Sequence, residues 1–98
     1  MVKLFCKLEM LLMKKIIYFY LPLCPFCHEA DQYLKENINE NARFKELEII
    51  RINEAKEVKV ANSYDYYYVP CFWLDQQKIH EGPVTKAKIK EILLMALE

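Results

Sequence analysis

The chain has 98 residues, enough for one domain with one core and too few for two. With 54% apolar and 29% charged residues it has the balance of a folded globular domain, not of a disordered one. Fourteen basic against fourteen acidic side chains leave no net field to recruit nucleic acid or an anionic membrane, and a single glycine excludes glycine-rich nucleotide loops.

Residues 1–13 are apolar but broken by Lys7 and Glu9, and they read as an N-terminal arm or an extra element without function. They carry no small-residue cleavage site of an export signal, so the expected compartment is the reducing cytoplasm. No run reaches the ~18 apolar residues of a membrane span. Residues 14–98 are the domain proper. Ile16-Ile17-Tyr18-Phe19-Tyr20-Leu21 is continuously β-branched and aromatic, the pattern of a strand buried on both faces, and Pro22 ends it. Pro25 then opens a helix at its first position, where a fixed φ and a missing N–H do no harm. Ala30, Tyr33 and Leu34 share one face of that helix, and residues 37–41 read as its stop.

Residues 47–52 predict a second strand, and residues 54–63 a helix with Val58 and Ala61 on one face. Tyr64, Tyr66, Tyr67 and Tyr68 have no basic residue among them, which favours core or cleft-rim packing over base stacking. Cys71-Phe72-Trp73-Leu74 predicts a third strand and Lys78-Ile79-His80 a fourth, joined by a short loop and therefore antiparallel. Gly82-Pro83 breaks the chain, and Thr85 can cap a closing helix with Ile89, Ile92, Leu93 and Ala96 on one stripe. The order β-α-β-α-β-β-α predicts an α/β fold, a central four-stranded mixed sheet flanked by helices.

Cys24 and Cys27 carry the chemistry. A Cys-x-x-Cys in a reducing compartment is catalytic or metal-binding more often than structural. This one lies in the turn between a buried strand and the helix it feeds. There Cys24 falls at or near the helix N-cap, where free backbone N–H groups and the helix dipole favour a thiolate. Cys27 lies one turn on, within disulfide reach, and Pro25 stiffens the turn. The expected reaction is attack by Cys24 on a substrate disulfide, followed by displacement of the substrate by Cys27. Cys24-Pro25-Phe26-Cys27-His28 also spells a c-type haem attachment site, but the buried strand before it and the scarcity of glycine argue against haem. His28 reads as an exposed first-turn residue. One close cysteine pair with scattered His28, Cys71 and His80 falls short of a zinc ligand set, so no metal is expected. Cys71 reads as a small buried hydrophobe, with a third redox thiol as the alternative. Cys6 reads as incidental.

Two blocks, residues 18–27 (YFYLPLCPFC) and 69–82 (VPCFWLDQQKIHEG), make the chain resemble the thioredoxin-fold proteins and, within them, the glutaredoxins. The Cys-Pro-aromatic-Cys centre is matched by Cys24, Pro25, Phe26 and Cys27, and the Val-Pro before the third strand by Val69 and Pro70. The resemblance implies a thioredoxin fold over residues 14–98. It also implies a cis Pro70 facing the cysteines and a backbone shelf at Val69 for a thiol peptide. The role implied is a monomeric thiol–disulfide oxidoreductase acting on a protein or small-molecule disulfide, with Pro25 and Phe26 tuning the dithiol. Leu23 before Cys24 and a first strand without a carboxylate favour the glutaredoxin side over thioredoxins proper. Residues 79–83 (IHEGP) hold one glycine and no following acid where glutaredoxins grip glutathione. Glutathione or a thioredoxin-reductase-like flavoprotein is therefore the expected electron donor, and no organic cofactor is implied. From another class, the pair could serve a non-catalytic redox or metal-binding interaction module.

Overall fold

Strand β1 (Ile16–Tyr20) runs through the interior of the sheet, flanked on both sides, which is why its sequence shows no polar alternation. The computed structural model describes residues 14–98, so the arm or extra element read in residues 1–13, with Cys6, lies outside the described residues. Helix α1 (Pro25–Glu40) follows, then a 3-10 turn (Ala42–Glu46), β2 (Ile49–Asn53), a short helix α2 (Val58–Asn62), β3 (Cys71–Leu74), β4 (Gln77–Glu81) and helix α3 (Lys86–Leu97). The sheet order is β2-β1-β3-β4. β2 pairs parallel to β1, with Ile17 opposite Ile50; β3 pairs antiparallel to β1, with Phe19 opposite Cys71; β4 closes the hairpin.

Strand alternation divides the core into two layers. Ile16, Tyr18, Phe72 and Leu74 meet Ala30 and Leu34 of α1, Phe44 of the 3-10 turn, and Ile89, Ile92, Leu93 and Ala96 of α3. Tyr18 stacks on Phe72 with ring centroids 4.7 Å apart. On the other face Ile17, Phe19, Ile52 and Cys71 meet Ala61 of α2, with Tyr64, Tyr66 and Trp73 packed around them. Phe19 lies 4.5 Å from Tyr66 and 4.9 Å from Tyr64, so aromatic rings cover what a five-residue helix cannot.

Several sequence expectations shift here. α1 ends inside the 37–41 window, at Glu40, and Asn37 itself is still helical. It is buried, and its side-chain amide donates to Tyr33 O (2.9 Å) and Lys86 O (3.1 Å), joining α1 to the start of α3; the cap is Asn41. Leu47 is not strand but the buried end of the 3-10 turn, and β2 begins at Ile49. α2 starts at Val58 because Asn53 holds the preceding residues in a turn, its Oδ1 accepting from Ala55 N and its carbonyl from Lys56 N and Glu57 N. Val58 consequently faces solvent while Ala61 is buried. Tyr67 and Tyr68 stand exposed, in contrast with Tyr64 and Tyr66.

Candidate active site

The pairing directions bring one set of loops together. β1 and β2 both finish, β3 begins and β4 finishes at the same end of the sheet. The Leu21–Cys24 turn, Ala55, Val69–Pro70 and Glu81–Gly82 therefore share that end, and Tyr20 O accepts from Glu54 N at 3.1 Å while Pro70 O accepts from Gly82 N at 2.9 Å. Strand C-termini beside a helix N-terminus are where open α/β sheets place their chemistry.

Cys24 is the N-cap of α1 and Pro25 its first residue. The Cys24 thiol accepts from the Cys27 N–H at 3.2 Å, filling the role that a Ser or Asp side chain plays at other N-caps. The Cys24 carbonyl accepts from Cys27 N and His28 N, both at 3.1 Å. Cys24 is partly exposed and Cys27 fully buried. Burial first, and then the hydrogen bond it shares with Cys24, pushes the Cys27 thiol up to about 12. The pair thus has an accessible sulfur held at the helix start and a shielded sulfur kept protonated behind it.

The turn is braced from three sides that the sequence did not announce. Buried Tyr18 donates its hydroxyl to the Cys27 carbonyl at 3.1 Å, fixing the first turn of α1 to β1. Burial, followed by the nearby Asp31 charge, raises the Tyr18 hydroxyl far above its usual range, so it stays a donor. Arg51 of β2 pairs with Asp31, and its guanidinium lies 5.1 Å from the Tyr18 ring centroid and 5.7 Å from that of Tyr20. His28 donates from Nε2 to the Pro22 carbonyl, closing the loop before Cys24. A hydroxyl in an otherwise apolar buried strand was the available sign for Tyr18, since a buried tyrosine needs a partner. Nothing local in the sequence pairs Asp31 with Arg51.

Leu21, Pro22, Leu23, Cys24 and Ala55 line an open apolar hollow of about 520 Å³ beside the dithiol. Leu23 is 92% exposed and Phe26 49% exposed, an uncommon concentration of bare apolar surface around one sulfur. The Val69–Pro70 peptide is cis and Pro70 is buried, next to Cys71 at the start of β3. Cys71 is fully buried among Phe19 and its neighbours, and burial pushes its thiol up to about 12. Among the described residues no three His, Cys, Asp or Glu side chains gather as metal ligands would. No described helix is long and apolar enough to cross a membrane.

No family model and no curated protein matches the chain. Solved structures do. A thioredoxin-like protein from Clostridium perfringens is 29% identical with a TM-score of 0.62, covering 87% of this chain and 71% of that one. The chain belongs to the thioredoxin-fold superfamily. A mutant thioredoxin from Halobacterium salinarum (16% identity, TM-score 0.65, 87% of this chain and 75% of that one) shares the same fold. So does the oxidised thioredoxin of Plasmodium falciparum (11%, 0.66, 98% and 92%). Within this superfamily, the likeness to the Clostridium perfringens protein supports a thiol–disulfide oxidoreductase-like family.

Proposed function

We propose that the chain is a thiol–disulfide oxidoreductase of glutaredoxin-like type, with Cys24 as nucleophile and Cys27 as resolving thiol. The observation that carries this reading is the Cys24 sulfur at the N-cap of α1, hydrogen-bonded to the amide of a buried Cys27. The Cys24 thiolate attacks one sulfur of a substrate disulfide, whose S–S bond breaks and releases the first thiolate. Cys27 then loses its proton and attacks Cys24 in the mixed disulfide, releasing the second thiolate and leaving a Cys24–Cys27 bridge. Two electrons have passed to the substrate, and two thiols of glutathione, or one flavoprotein reductase, return them.

Pro25 sets the turn, Phe26 and Leu23 form an apolar collar, and Val69–Pro70 is the shelf on which the substrate backbone lies. The sulfurs carry the electrons, so the reaction needs no metal or organic cofactor. The protein works as a monomer in the cytoplasm, away from nucleic acid and membranes, on protein or small-molecule disulfides. Glutathione-dependent reduction of bis(hydroxyethyl) disulfide, with Cys24→Ser as control, tests the reading. Turnover that vanishes in the control is expected. Absent turnover with a bridge that forms normally would remove the glutaredoxin label and favour a flavoprotein donor.

A further inference from the structure

Two side chains of β4 hold the loop that leads into Pro70. Glu81 Oε2 accepts from the backbone amides of Tyr67 (2.8 Å) and Tyr68 (3.2 Å). Its Oε1 accepts from Lys78 Nζ at 2.9 Å, and the same ammonium donates to the Asp65 carbonyl at 3.2 Å. Gly82 N then bonds Pro70 O at 2.9 Å. Residues 65–70 are thus pinned along β4 and its adjoining turn at four points, each by a group 10 or more positions away in the chain. Val69 N–H and C=O have no hydrogen-bond partner among the described residues. Beside them Tyr67 and Tyr68 expose large rings, 82% and 67% bare. A loop so tightly tied by its amides and so open in its side chains and at Val69 has its backbone preset for a partner.

Resting on the reading above, we propose that Glu81, backed by Lys78, is a positioning residue for the Val69 shelf, on which polypeptide disulfides depend and small ones do not. A small disulfide needs only the Cys24 sulfur. A polypeptide also lies along Val69 and against the two tyrosines, and so depends on the loop keeping its place. The carboxyl is pushed down to about 2, chiefly by the Tyr67 amide and then by Lys78, so the clamp stays ionised wherever the dithiol works.

The test compares insulin with cystine as substrates, reduced at saturating dithiothreitol so that no biological donor is required. Glu81→Ala is expected to raise KM for insulin roughly tenfold, with kcat within about twofold and the KM for cystine moved far less. Glu81→Gln, which keeps an acceptor for both amides, should restore most of the insulin KM. Amide hydrogen exchange at Tyr67 and Tyr68 should quicken in the alanine variant and not in the glutamine one. An unchanged insulin KM, or a loss shared equally by both substrates, overturns the inference and leaves the enzymatic reading intact. A wild-type protein that reduces neither substrate overturns the reading and the inference with it.

Discussion

The two ends of the sheet are built from opposite kinds of chain. Where β1 starts and β3 finishes, Asp75 and Gln76 alone turn β3 into β4. Asp75 sits at φ 52° and is tied to Lys15 twice, its N–H to the Lys15 carbonyl at 2.9 Å and its Oδ1 to the Lys15 N–H at 3.0 Å. At the other end the connections are longer, and side chains from elsewhere hold their backbone: Tyr18 on Cys27, Glu81 on Tyr67 and Tyr68. A two-residue turn whose amide and carboxylate are both taken up by Lys15 offers no long stretch of loop. Loops held from a distance can keep one sulfur partly open and another shut away. Substitutions should therefore separate, rates answering to the dithiol end and stability to the core and the hairpin.

Cys24→Ser tests that separation most severely, with turnover expected to fall at least roughly 10³-fold. Its thermal midpoint should move by no more than about 5 °C, the equivalent of about 1 kcal/mol. Phe72→Ala should do the converse. Removing a fully buried ring stacked on Tyr18 is expected to cost about 3–5 kcal/mol in urea unfolding, while the folded fraction keeps its chemistry. A Phe72→Ala protein of normal stability would show that the helix-covered layer is not where the fold is held.

The buried thiols give a pH test of the same contrast. Cys27 and Cys71 are both held protonated up to about 12, against an ordinary value of 9.0. The unfolded chain releases those protons at lower pH than the folded one. Their contribution to stability is thus complete below the ordinary value and lost as pH climbs through about 12. Bridging Cys24 to Cys27 removes Cys27 from this titration. Between about pH 9 and pH 11 the reduced protein should lose stability more steeply than the oxidised one, measured by chemical denaturation. Equal slopes would mean that Cys27 is not shielded.

At the hairpin, Asp75→Ala puts a β-carbon without its hydrogen-bonding carboxylate at a positive φ and should cost about 1–2 kcal/mol. Asp75→Gly should cost less, and neither should change turnover. A rate loss at Asp75 would couple the two ends and break the comparison.

The same contrast governs what could be read beforehand. β3 and α3 were legible because each carries its own signal, an apolar run bounded by turn residues and a stripe of Ile89, Ile92, Leu93 and Ala96 behind a capping Thr85. Cys24 at a strand–helix turn, with Pro25 after it, was legible for the same reason. What escaped depends on partners remote in sequence. Asn37 lies in the stretch read as the helix stop, and its buried bridge to α3 depends on the Lys86 carbonyl 49 residues away. Glu81 lies in sequence between the fourth strand and Gly82 with nothing to single it out, because the Tyr67 and Tyr68 amides that its carboxylate accepts from are 14 and 13 residues away. The tyrosine cluster splits between core and solvent because α2 covers only Ala61 and leaves Tyr64 and Tyr66 to shield Phe19.

The division of labour between Cys24 and Cys27 is tested most directly by trapping. Cys27→Ser protein mixed with an oxidised peptide, then digested and weighed, should carry a stable mixed disulfide on Cys24, because nothing remains to displace the peptide. No adduct, or an adduct on Cys71, would contradict the assignment of Cys24 as the attacking sulfur.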